Sequence, residues 1–159
     1  MKDSGENKGK GKKVNEIITF PVQFSLRNIK ENITIYTESL TTLSENEIVN
    51  QAFKLHLQGN ILEAAKYYQY FINQGFDDPI MFSNYGVILK DIGKLKEAEL
   101  ITRKAIELKP DFADAHLNLG STFKELKNLQ KAELYTRKAI ELKPDFAEAH
   151  YNLGTILKD

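Results

Sequence analysis

Asparagine stands at residues 50, 84, 118 and 152, at a constant interval of 34. A carboxamide carries N–H donors and an acceptor oxygen, so it can pair with a peptide unit in both senses. Repeated at a fixed interval, such groups can grip an extended chain without reading its side chains. Asn50, Asn84, Asn118 and Asn152 are therefore candidates for polypeptide binding, with a supporting role in the fold as the alternative. A second row runs beside them: Lys90, Lys124 and Lys158, each followed by an acid at Asp91, Glu125 and Asp159. These lysines could meet acidic side chains of a bound segment. Equally, they could form a solvated face balanced by its own acids, because exposed pairs contribute little.

No catalytic constellation accompanies these rows. His116 and His150 occupy the same address in successive repeats, which argues for packing; His56 stands apart. No Gly-rich phosphate loop, zinc-ligand spacing or serine nucleophile elbow is present. The absence of cysteine removes thiolate nucleophiles and thiolate metal sites, and fits a reducing compartment. Asp77 and Asp78 read as a loop and a helix start. The expectation is a chain that is not an enzyme and needs no metal or cofactor.

The elements that hold the rows are repeats. TRKAIELKPDFADAHLNLG at 102–120 returns as TRKAIELKPDFAEAHYNLG at 136–154. Between Ile101–Glu125 and Tyr135–Asp159, 18 of 25 positions are identical. Self-similarity at this period marks stacked supersecondary units, none of which can bury its apolar face alone. Units run 45–78, 79–112 and 113–146, with a partial fourth at 147–159. Each should hold one helix in its first 13 positions, a short turn and a second helix of about 14. Ser44 and Glu47 form a capping box ahead of the first helix. The eighth position (Ala52, Gly86, Gly120, Gly154) and the twentieth (Ala64, Ala98, Ala132) are small, which lets the two helices approach closely. The eleventh (Leu55, Leu89, Phe123, Leu157) should face the core. Pro110 and Pro144 should stop second helices, with Asp111 and Asp145 capping the next. Lys127 replaces the turn glycines Gly59 and Gly93, so Asn128 is expected to take the left-handed conformation instead.

This small–large–small–Pro arrangement resembles the tetratricopeptide repeat over residues 45–159, most like the arrays that precede O-GlcNAc-transferase-type domains. The resemblance implies an all-α, right-handed superhelical solenoid of about three and a half repeats. First helices would line its concave face, with the sixth position, the asparagine row, directed into the groove. In arrays of that type a comparable asparagine ladder binds polypeptide. Some family members instead clamp a C-terminal carboxylate with Lys at position five and Asn at position nine. Here those addresses hold Val49 and Phe53, or Ser83 and Val87, so a chaperone-tail receptor is disfavoured.

The rest of the chain is read from composition. Residues 1–13 carry five lysines against Asp3 and Glu6, which is +3. The other 146 residues hold 17 basic and 20 acidic side chains, which is −3. A near-neutral body does not read as a nucleic-acid binder. No apolar run is long enough to span a membrane, and no signal-peptide core follows the basic start. The expected location is cytoplasmic. Residues 1–43 are expected to be a flexible basic segment, with one or two short strands, or an extended linker, across the β-branched stretch from Ile17 to Tyr36. Asn32-Ile33-Thr34 reads as a chance glycosylation triplet.

The reading is a non-catalytic scaffold that holds an extended segment of another protein. The alternative is a recognition module cut from a larger, glycosyltransferase-like enzyme, since the fourth unit stops after one helix. That helix keeps interior wording, so it is either an imperfect cap or a point where further repeats were lost. Self-association through it is a third possibility.

Overall fold

A computed structural model describes residues 43–158, all within one unit, Glu38–Asp159. The expected basic segment and strands before residue 43 lie outside the described residues. Those described form seven helices and no strand: α1 (Glu45–Leu57), α2 (Ile61–Asn73), α3 (Pro79–Asp91), α4 (Leu95–Leu108), α5 (Ala113–Glu125), α6 (Leu129–Leu142) and α7 (Ala147–Lys158). First helices thus begin at 45, 79, 113 and 147, in step with the sequence period. The architecture is an all-α solenoid of antiparallel hairpins, α1–α2, α3–α4 and α5–α6, followed by α7.

Local chemistry explains most boundaries. Ser44 Oγ accepts from Glu47 N at 3.4 Å while Glu47 Oε2 accepts from Ser44 N at 2.8 Å, closing the capping box on α1. The Ser44 hydroxyl also donates to Glu47 Oε2 at 2.7 Å, and this bond, together with that from Ser44 N, holds the Glu47 carboxyl below its ordinary pKa. Asp78 Oδ1 caps α3 through Met81 N at 2.8 Å, and Pro79 takes the first helical position, where its missing N–H costs nothing. Each hairpin turn closes the same way: the N–H groups of Asn60, Lys94 and Asn128 donate to Leu55, Leu89 and Phe123 carbonyls at 2.9, 2.8 and 2.9 Å. This bond requires the residue just before it to be left-handed.

Two expectations about these ends fail. Lys127 itself adopts φ 60, where Gly59 and Gly93 have φ 75 and 79. Asn128 has φ −96 and is the N-cap of α6, its Oδ1 accepting from Lys131 N at 3.1 Å. The turn bond fixes which residue must be left-handed, so the strain falls on the lysine. Asp111 does not cap α5; Phe112 holds that position, without a side-chain cap bond. Asp145 likewise lies two residues before Ala147, with Phe146 between them. A tight turn, Phe112 N to Lys109 O and Phe146 N to Lys143 O at 3.1 Å each, moves both aspartates out of register.

Packing follows the small positions. Ala52, Ala64, Ala98 and Ala132 are fully buried, and Gly86 and Gly120 are buried beside second helices. A Cβ on Gly120 would sit 2.5 Å from Thr136 Oγ1 and 3.1 Å from the Ala132 carbonyl. A Cβ on Gly86 would clash with Thr102 Oγ1 in the same way. In the first hairpin the residue matching Thr102 and Thr136 is Tyr68, wholly buried in a cluster with Ile48, Phe71, Met81, Tyr85 and Ile88. The expectation that the eleventh position faces the core holds for Leu89 and Phe123 but not for Leu157, which is 60% exposed. Among the described residues no helix follows α7 to cover it. Gly154 is exposed for the same reason, and an added Cβ there would touch nothing.

Candidate functional site

On an α-helix, positions i, i+4, i+7 and i+11 share a face. The second, sixth, ninth and thirteenth positions of the first helices therefore lie together. On α1 these are Asn46, Asn50, Phe53 and Leu57; on α3, Ile80, Asn84, Val87 and Asp91; on α5, Asp114, Asn118, Ser121 and Glu125. On α7 the face carries Glu148, Asn152 and Thr155. The face changes character along the array: its ninth position is apolar on α1 and α3 and hydroxylic on α5 and α7. First helices also touch each other directly, α3 with α5 and α5 with α7. The asparagines thus stand one per first helix on a continuous surface.

The four carboxamides are not equivalent. Asn118 Nδ2 donates to Ser83 Oγ on α3 at 3.0 Å, and Asn152 Nδ2 donates to Ser121 Oγ on α5 at 3.3 Å. Asn84 stands near the hydroxyl of Tyr68, on α2. Burial pushes the Tyr68 phenol up to about 12, and the nearby Asn84 carboxamide pulls the other way. The Tyr68 hydroxyl lies 3.2 Å from His56 Nδ1. Burial lowers the His56 pKa, partly offset by Asp91. These three asparagines are half-buried, whereas Asn50 is exposed and no described side chain of another unit bonds it. The period marked the row; it did not mark its supports, Ser83 and Ser121.

The lysines behave differently from one another. Lys90 Nζ lies 2.7 Å from Asp91 Oδ1 and 3.3 Å from Glu125 Oε1, with its side chain 19% exposed. Burial works against its charge, but the two carboxylates outweigh that and raise the pKa. Lys90 thus links adjoining units, α3 to α5. Lys124 is half-buried and also engaged, and Lys158 is exposed near the end of α7. The histidines of the repeat close turns: His116 Nε2 donates to the Pro110 carbonyl at 2.9 Å and His150 Nε2 to that of Pro144 at 2.8 Å. Among the described residues no three His, Asp or Glu side chains gather as a metal site. None of the described helices is long and apolar enough to cross a membrane.

Comparison with known proteins places this arrangement. Profiles described as tetratricopeptide repeat match residues 81–112 and 113–146. No curated protein matches the chain significantly. Among solved structures, the first repeat domain of Spaghetti (RPAP3) bound to the HSP90 peptide SRMEEVD is 22% identical at a TM-score of 0.68, covering 72% of this chain and 90% of that one. The second repeat domain of human RPAP3, in complex with an HSP70 peptide, is 21% identical at 0.66, covering 70% and 93%. An O-GlcNAc transferase from Thermobaculum terrenum is 22% identical at 0.68, with 71% of this chain but only 22% of that one covered. At these identities the likeness is one of fold.

Proposed function

Since this chain is a tetratricopeptide repeat protein, we propose that it is a non-catalytic scaffold. It binds an extended segment of another protein along the first-helix face, with Asn84, Asn118 and Asn152 as the principal contacts. The observation that carries this reading is the carboxamide row itself, one group per first helix, with two of its members, Asn118 and Asn152, held by hydroxyls of the preceding first helix. An extended strand offers its N–H and C=O groups at intervals such a row can meet. Apolar side chains of the occupant would meet Phe53 and Val87, and hydrogen-bonding ones Ser121 and Thr155. Lys90 plays little part, because its charge is already balanced by Asp91 and Glu125.

Two of the structural neighbours hold chaperone-derived peptides, which supports a protein partner in general. It does not carry over to a carboxylate clamp here. Val49 and Phe53 are apolar, and Ser83 is buried under Asn118. The likeness to the transferase favours, as a second reading, a recognition module within a larger enzyme, and the same row would then present the polypeptide. The test is selection of a random 15-residue peptide library on the whole chain. Wild type should enrich peptides that the Asn84→Ala/Asn118→Ala variant fails to hold, with equal helix content in both. Equal enrichment by both proteins would remove the reading.

A further inference from the structure

The hydroxyls beneath the row have a directional logic. A carboxamide has two N–H donors and one oxygen, and the anchored asparagines, Asn118 and Asn152, each commit one N–H to a hydroxyl. One N–H and the oxygen remain, the pair that complements a peptide unit. Asn118 reaches back from α5 to Ser83 on α3, and Asn152 reaches back from α7 to Ser121 on α5. Ser83 is the fifth residue of its unit and Ser121 the ninth of its own, i and i+4 neighbours on a first helix. Whichever of the two addresses holds a serine takes the bond. In the first unit both are apolar, Val49 and Phe53, so α1 offers Asn84 no hydroxyl at either address. Asn50 has no preceding unit among the described residues and is exposed.

Building on the proposed peptide-binding role, we infer that Ser83 and Ser121 are positioning residues. Each turns the carboxamide of the following unit so that its oxygen and second N–H face the ligand. Stacking of one unit on the next therefore sets the ladder, and a rung without an anchor beneath it contributes little. The ligand class that fits is an extended segment with unsubstituted backbone amides, which N-methylation or proline opposite a rung would interrupt.

The experiment uses the whole chain labelled with nitrogen-15, first without ligand. Ser83→Ala should shift the Asn118 side-chain amide resonances and speed their exchange with solvent, leaving Asn152 unchanged. Ser121→Ala should do the reverse, and neither substitution should move Asn84. Next, with a peptide from the library selection as probe, Ser83→Ala should weaken binding about three- to ten-fold, the cost of ordering one freed side chain. It should cause no further loss in an Asn118→Ala background. Unmoved Asn118 resonances, or an equal loss in both backgrounds, would overturn the assignment. Failure of the library to yield any peptide would sink the binding role instead, and the ligand-free spectra would still decide the anchoring.

Discussion

Helices α5 and α7 carry nearly the same words, ADAHLNLGSTF and AEAHYNLGTIL, and meet opposite fates. Ala113, His116, Leu117, Gly120 and Phe123 are all buried beneath neighbouring helices. Their counterparts Ala147, His150, Tyr151, Gly154 and Leu157 are exposed, Tyr151 by 73%. The internal chemistry of the two helices is conserved all the same, since both histidines reach back to a proline carbonyl. A repeat's sequence thus writes its helix and its turn, while burial is decided by the unit stacked upon it.

The contrast can be sharpened by paired substitutions. Truncating the buried ring, Phe123→Ala, should cost about 3–5 kcal/mol. Leu157→Ala, at the same address, should stay within about 0.5 kcal/mol. Urea unfolding of the 159-residue chain measures both, and similar losses would mean that α7 is covered as α5 is. Glycine gives the next largest effect, with opposite signs. Gly120→Ala pushes a methyl group against Thr136 and the Ala132 carbonyl and should destabilise by about 1–3 kcal/mol. Gly154→Ala meets open space and should stabilise by about 0.5–1 kcal/mol, the ordinary gain of alanine over glycine inside a helix. Smallest is the turn between α5 and α6: Lys127→Gly should gain about 1 kcal/mol by relieving a left-handed lysine. A loss there would show that the lysine side chain contributes more than its backbone strain removes.

The fold was legible because periodicity is a property of the whole sequence: small residues at the eighth and twentieth positions, and aspartate or serine ahead of helices, recur where contacts recur. What the period could not supply was anything that depends on a residue's own neighbours. Lys127 was expected to yield its conformation to Asn128, but the turn bond to Phe123 leaves no choice of residue. Asp111 and Asp145 look like caps by spacing, yet the turns after Lys109 and Lys143 shift them away. Leu157 reads as core because its counterparts are. At the candidate site the asparagines were found by their common address, while their anchors sit at different ones, Ser83 fifth and Ser121 ninth. A search for recurrence passes over supports that do not recur.

The most direct test of the peptide-binding account is a rung-by-rung series on the whole chain. Asn50→Ala, Asn84→Ala, Asn118→Ala and Asn152→Ala would be titrated calorimetrically with one selected peptide. Each of the two anchored rungs, Asn118 and Asn152, should lose about 1–3 kcal/mol of binding, the cost of leaving hydrogen-bonding groups unpaired, Asn84→Ala should lose less, and Asn50→Ala should bind as wild type does. A triple Asn84→Ala/Asn118→Ala/Asn152→Ala variant with undiminished affinity would contradict the account.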